Sequence, residues 1–292
     1  MCNNIGNCKK IKFSPYAEIP ADLENFAEEY FEVVEINYND DGSEQLVGYM
    51  RQNDDISAMH QAAVANNVQL PAYTIEILES KNWLKENVIK FAPVETEDFV
   101  VYGIFEKDVD THGKIGIKVY AATAFGSEHQ TTVSCLCGIS EINHLLKEPP
   151  QKVLDVGTGS GILALAAAKL WKKSEIVAVD IDEESVRVTE QNAQDNGVAE
   201  QITVAYSDGY NSATVRQSAP YDVIFANILA RPLICMAPDM ANSLKKGGYA
   251  IISGFIDEQT EWVLQEHEKY GLALQKIYEK DGWRAALLKR ID

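Results

Sequence analysis

Residues 153–182 admit very few folds. Val153-Leu154-Asp155-Val156 is a short apolar strand, Gly157-Thr158-Gly159-Ser160-Gly161 follows at once, and the Ala-rich run Ile162 to Leu170 reads as a helix. Glycines let the backbone turn sharply and let a ligand approach the helix N-terminus without meeting a β-carbon. Asp155, just ahead of the turn, can accept hydrogen bonds from turn amides or from a ligand ammonium. Downstream, Ile176-Val177-Ala178-Val179 ends in Asp180, a carboxylate at a strand's C-terminal tip that can chelate both hydroxyls of a ribose. These are two halves of one nucleoside site. The competing reading makes Asp180 a solvated helix cap shared with Asp182.

The remainder of the C-terminal part repeats the same alternation. Val153–Val156, Ile176–Asp180, Ile202–Tyr206, Asp222–Ala226 and Tyr249–Ser253 read as buried strands separated by helices, which predicts an α/β fold with a mostly parallel sheet. Ahead of it, Lys10 to Ser14, the helix from Pro20 to Tyr30, Phe31 to Tyr38, Gln45 to Arg51, Ile56 to Asn66 and Tyr73 to Glu79 follow in the order β-α-β-β-α-β. Asp40-Asp41-Gly42 supplies a hairpin turn, and Asp54 and Asp55 suit a helix start. That order is the split βαβ, or ferredoxin-like, arrangement, an antiparallel sheet with both helices on one face. The expected organisation is an N-terminal α+β domain over 1–80, a linker with a helix at Lys81 to Ile89 over 81–95, and a ligand-binding domain over 96–292. The first domain contains no catalytic constellation and reads as a recognition module or as purely structural.

Charge narrows the partners. With 44 acidic against 26 basic residues the formal charge is −18, so the surface field repels phosphate backbones and anionic lipid and favours a basic protein. Direct nucleic-acid binding and a membrane partner are not expected. Cys2, Cys8, Cys135, Cys137 and Cys235 are scattered, without the paired spacing of a zinc site, and suit reduced thiols in the cytoplasm. The N-terminus lacks the apolar run of a signal peptide, and nothing later approaches the roughly 20 apolar residues needed to span a bilayer.

A dinucleotide site would share the strand, turn and acid, but its glycines are spaced G-x-G-x-x-G. Here the pattern is D-x-G-x-G-x-G, which resembles the class I methyltransferase signature, in which the ammonium and carboxylate of S-adenosylmethionine lie on the glycine loop. The fold it implies is Rossmann-like. In that family the position of Asp208, in Ser207-Asp208-Gly209, commonly contacts the adenine amino group, although a loop acid is often only a turn former. Asn227 ends the strand Tyr221 to Ala226, and its amide offers a donor and an acceptor beside the sulfonium. An amine nucleophile must be neutral, aimed at the methyl carbon and near attack distance, so Asn227 could orient it; otherwise it merely closes a turn.

A narrower resemblance is to the bacterial ribosomal protein L11 methyltransferases. It rests on Val153 to Ala164, Val179-Asp180-Ile181-Asp182, Asn227-Ile228-Leu229-Ala230-Arg231-Pro232-Leu233, Lys245-Lys246-Gly247-Gly248 with Ser253-Gly254, Asn82-Trp83 and Lys90-Phe91-Ala92-Pro93-Val94. It implies S-adenosylmethionine-dependent trimethylation of lysine and α-amino groups of that ribosomal protein by a cytoplasmic monomer, with the N-terminal domain presenting the substrate. Carried over residue by residue, the cofactor contacts are Thr132, Gly157, Asp180 and Asn227, joined by Asp155, Gly159 and Asp208 from the turn and strand-end readings. The loop Ala124 to Thr132 is one residue shorter than the family pattern, with Ser127-Glu128 at the difference. His129 within it could relay a proton or only shape the pocket. Trp283 is similarly ambiguous, although an aromatic close to a terminal strand is usually core. The alternatives are methylation of another protein or of a small-molecule amine, or an idle cofactor-binding assembly factor.

Overall fold

The computed structural model describes residues 8–31, 33–39, 42–51, 54–78, 91–120 and 130–291. The helix expected at Lys81 to Ile89, the loop with Ser127 and Glu128, and His129 lie outside these residues. The chain divides into two units, Met1–Glu86 and Asn87–Asp292.

In the first unit β1 (Cys8–Phe13), α1 (Ala21–Tyr30), β2 (Val33–Tyr38), β3 (Glu44–Arg51), α2 (Ile56–Ala65) and β4 (Tyr73–Leu78) follow in the expected order. The strands make an antiparallel sheet ordered β2-β3-β1-β4. Strand side chains alternate between faces, so Ile11, Phe13, Leu46 and Met50 share one face and meet Leu23 and Phe26 of α1 and Met59 and Ala63 of α2 in a single core. Asp55 starts α2 by accepting from the Ser57 amide at 2.8 Å.

The second unit opens with a small sheet of β5 (Val94–Glu95), β6 (Phe99–Gly103) and β7 (Ile115–Val119). There follow α3 (Gln130–Leu145), β8 (Lys152–Val156), α4 (Ile162–Leu170), β9 (Glu175–Asp180), α5 (Glu183–Asp195), β10 (Ile202–Tyr206) and α6 (Ala213–Ser218). The chain ends with β11 (Tyr221–Asn227), α7 (Ala230–Ser243), β12 (Leu244–Ile256), α8 (Thr260–Glu268), β13 (Leu272–Lys280) and β14 (Trp283–Arg290). These strands form one sheet in the order β10-β9-β8-β11-β12-β14-β13, parallel except that β14 runs antiparallel to β12 and to β13.

The central strands read as unbroken apolar runs because both faces are covered. Val153, Ile176, Ala178, Val223, Phe225 and Ile251 point into one core with α3 and α4. Their neighbours Leu154, Val156, Val177, Val179, Ile224 and Ile252 point into the other, with Leu233 and Met240 of α7 and Val263 of α8. The chain moves outward from β8 through β9 to β10, then returns to place β11 on the other side of β8. That reversal opens a crevice at the C-terminal strand ends, where open α/β sheets bind ligands. Among the described residues no helix is long and apolar enough to cross a membrane.

Candidate active site

The glycine turn is bent over the tip of β9. Gly157, Gly159 and Gly161 all have positive φ, 71°, 58° and 83°, which L-residues with a β-carbon adopt only at a cost. The amides of Gly157 and Thr158 both donate to the Val179 carbonyl, at 2.8 and 3.0 Å. The next residue, Asp180, accepts from the Gly159 amide at 2.9 Å through Oδ2 and from the Asp182 amide at 3.0 Å through Oδ1. Capping of α5 falls to Asp182, which accepts from the amides of Glu184 and Ser185, so the cap reading does not describe Asp180. From α5, the Thr189 hydroxyl donates to the Gly159 carbonyl at 2.9 Å and Asn192 Nδ2 to the Ser160 carbonyl at 2.8 Å. The turn is therefore held from the strand below and from the helix beside it.

Asp155 takes its hydrogen bonds from the turn and from the helix that follows it. It is 1% exposed, lies behind the turn, and accepts from the Thr158 hydroxyl at 2.7 Å and the Ala164 amide at 3.2 Å. Burial pushes its carboxyl up to about 7; the Thr158 and Ala164 hydrogen bonds oppose this and the Asp180 charge adds to it. A carboxyl protonated more readily when folded than when unfolded stabilises the fold fully below about pH 4, and that contribution is lost as pH rises towards 7. The difference from the ordinary value of 3.8 to about 7 is on the order of 4 kcal/mol. Asp155→Asn keeps an acceptor and removes the titration. Its melting temperature relative to wild type is expected to climb between pH 5 and pH 8; a flat difference in calorimetric scans over that range would refute the assignment.

The cleft above the turn has a volume of about 610 Å³ and brings together Gly157, Gly159, Asp180, Asp208 and Asn227 from four separate strand ends. That volume lies within the usual range for small-molecule sites. Asp208 is carried on a turn fixed by Ser207, whose hydroxyl donates to the Gly209 carbonyl at 2.7 Å and accepts from the Ser212 amide at 3.1 Å. Asn227 ends β11, and its Nδ2 donates to Thr132 Oγ1 at 3.4 Å. Thr132 is buried in the first turns of α3, while its neighbour Thr131 lines the cleft.

Several lining residues were not found from sequence: Ile181, Leu229, Met236 and Gly254. Ile181 and Leu229 are 61% and 69% exposed, and an exposed large apolar side chain beside a strand-end polar group was the available signal. Gly254 has φ of 97°, and a β-carbon there would stand 2.0 Å from the Ile228 carbonyl oxygen. Trp283 lines the cleft as well, at the first residue of β14, instead of lying in the core. The cleft thus combines apolar walls with two carboxylates and one carboxamide, suited to a flat aromatic group, a diol and a cationic centre.

A family model described as Ribosomal protein L11 methyltransferase (PrmA) matches residues 16–290. A ribosomal protein L11 methyltransferase of Brucella suis is 39% identical over 218 residues, which cover 74% of this chain and 75% of that one. Its counterpart in Rhizobium meliloti is 36% identical over 245 residues, 83% of each chain. The crystal structure of a ribosomal protein L11 methylase from Lactobacillus delbrueckii subsp. bulgaricus has a TM-score of 0.60 and 25% identity, covering 70% of this chain and all of that one.

Proposed function

The chain belongs to the ribosomal protein L11 methyltransferase family, and from that premise we propose that it uses S-adenosylmethionine to methylate lysine ε-amino groups and the α-amino group of ribosomal protein L11, to the trimethylated level. One observation carries the reading: Gly157, Asp180, Asp208 and Asn227, distant in sequence, line a single cleft at the sheet's C-terminal edge.

The residues present fit the cofactor. Asp180, at the strand tip, takes the ribose hydroxyls. Asp208 accepts from the adenine amino group, and the apolar walls hold the ring. The positive-φ glycines let the methionine end lie against the backbone. When bound, S-adenosylmethionine supplies a methyl carbon made electrophilic by its sulfonium. Asn227 and the buried Thr132 hydroxyl beside it orient the amine, whose lone pair must point at that carbon. An incoming ammonium has first to lose a proton, and desolvation by the apolar rim of Leu229, Pro232 and Trp283 lowers its pKa in the needed direction. The N-terminal unit is the substrate-recognition module, and the enzyme acts in the cytoplasm as a monomer.

Incubation with labelled cofactor and purified L11, followed by mapping of the label by mass spectrometry, tests the assignment. Label is expected on lysine and N-terminal amines of L11; label confined to another protein or to small amines would overturn it.

A further inference from the structure

Gly254 of β12 and Trp283 of β14 build one side of the cleft, and one buried cation ties those strands to β13. The pairing of β12 with β14 shifts register between Ser253 and Phe255, leaving Gly254 as a bulged residue on the cleft wall. Across the bulge the Ser253 hydroxyl donates to the Arg284 carbonyl at 2.8 Å. The Arg284 side chain is only 10% exposed, yet its Nη2 lies 3.0 Å from Asp257 Oδ1 and 3.3 Å from Glu279 Oε2, whose side chains are 70% and 67% exposed. Asp257 follows β12, and Glu279 sits on β13 directly opposite Arg284. Trp283 is the residue before Arg284, at the end of the turn through Asp281 and Gly282, both with positive φ, 49° and 81°.

An ion pair between two exposed side chains contributes little to a fold. A guanidinium nine-tenths buried is a different case, because two of its nitrogens are engaged at once: Nη2 lies between the two carboxylates while Nη1 donates to the Trp283 carbonyl at 3.3 Å, a two-nitrogen arrangement that the single nitrogen of a lysine does not reproduce. We propose that Arg284 is a positioning residue for methyl transfer: by clamping Asp257 and Glu279 it fixes the Gly254 bulge and the β13–β14 turn, and thereby the angle at which Trp283 closes the acceptor side of the cleft. The inference rests on the methyltransferase reading above. It separates two jobs in one cleft, since the clamp lies at β12–β14 whereas Gly157 follows β8 and Asp180 ends β9.

The test uses the full chain with Arg284→Lys, and with Asp257→Asn and Glu279→Gln, which alter only exposed side chains and guard against a folding defect in the first. On purified L11, Arg284→Lys is expected to lower kcat about tenfold through misplacement of the wall, with S-adenosylhomocysteine affinity by calorimetry within about twofold of wild type. Each single-arm variant should show a smaller fall of the same kind. Independently of any acceptor, the change in Trp283 emission on adding S-adenosylhomocysteine, assigned as the part lost in Trp283→Phe, should shrink in Arg284→Lys. If wild-type enzyme transfers nothing to L11, the functional reading fails and the emission change alone decides the clamp. An unaltered kcat and emission response in Arg284→Lys, or a fall in kcat matched by an equal fall in cofactor affinity, overturns the proposal.

Discussion

Gly157→Ala is expected to weaken S-adenosylmethionine binding by about 100-fold or more while leaving the protein folded. Two costs arise. At φ 71° the added β-carbon carries the left-handed penalty of about 1–2 kcal/mol. It would also stand 2.2 Å from the Cγ2 atom of Ile228, far inside contact distance, so either Ile228 or the turn must move. Ile228 lines the cleft too, and both movements displace the surface on which the methionine end would lie. The strain itself falls on folding, whereas displacement of the binding surface falls on affinity, where about 1.4 kcal/mol is a factor of ten. Gly197→Ala separates the causes, for Gly197 has φ of 69° but nothing within 4 Å of its added β-carbon; it should lower the melting temperature slightly and leave affinity unchanged. In the double variant Gly157→Ala, Ile228→Ala part of the affinity lost in Gly157→Ala should return, the non-additivity expected of residues in contact once Ile228→Ala alone is also measured. Calorimetric titration of all five proteins checks the set, and wild-type affinity in Gly157→Ala would sink the site.

This contact also marks where sequence reading ran out. The glycine turn and Asp180 are legible because strand, turn, helix and acid fall within 30 consecutive residues, and their roles follow from position along one βαβ unit. What a side chain at Gly157 would strike is not local: Ile228 arrives from β11, 71 residues on. Asp155, which by position can accept from turn amides or from a ligand ammonium, is turned inward by strand alternation, where the Thr158 hydroxyl and the Ala164 amide satisfy it.

The central strands were legible for the same reason that they are central: burial on both faces leaves an apolar run that no polar alternation interrupts. The terminal hairpin was not. Among the nine residues of β13 only Leu272 is buried, because an edge strand exposes its outer positions, and the Asp281-Gly282 turn signal had no clear strand on its N-terminal side. Trp283 is accordingly ambiguous in the sequence, with a core position the usual one for such an aromatic, and the structure puts it on the cleft wall. On the proposed reading the glycine turn and Asp180 are written locally in the sequence, whereas the rest of the cleft, drawn from α3, β11, β12 and β14, becomes visible only when the sheet is built.

Asn227 stands at the junction of those two parts, and Asn227→Ala is expected to lower kcat about 100-fold to 1,000-fold, the usual result of removing one preorganised donor from a reacting centre. The variant should stay folded, because the hydrogen bond its side chain makes among the described residues, Nδ2 to Thr132 Oγ1 at 3.4 Å, is long and hence weak. If Asn227 served only to bind the cofactor, saturating S-adenosylmethionine would restore kcat; if it orients the amine, kcat stays low at saturation and cofactor affinity changes only a few-fold. Asn227→Asp makes a sharper demand. A carboxylate in the same place favours the sulfonium and also the protonated amine, raising the pKa of the nucleophile. Activity should then require higher pH, with the rising limb of the pH–rate profile displaced to the alkaline side while cofactor binds as well as or better than in wild type. A profile in Asn227→Asp that superimposes on the wild type would mean that the amine does not pass beside residue 227.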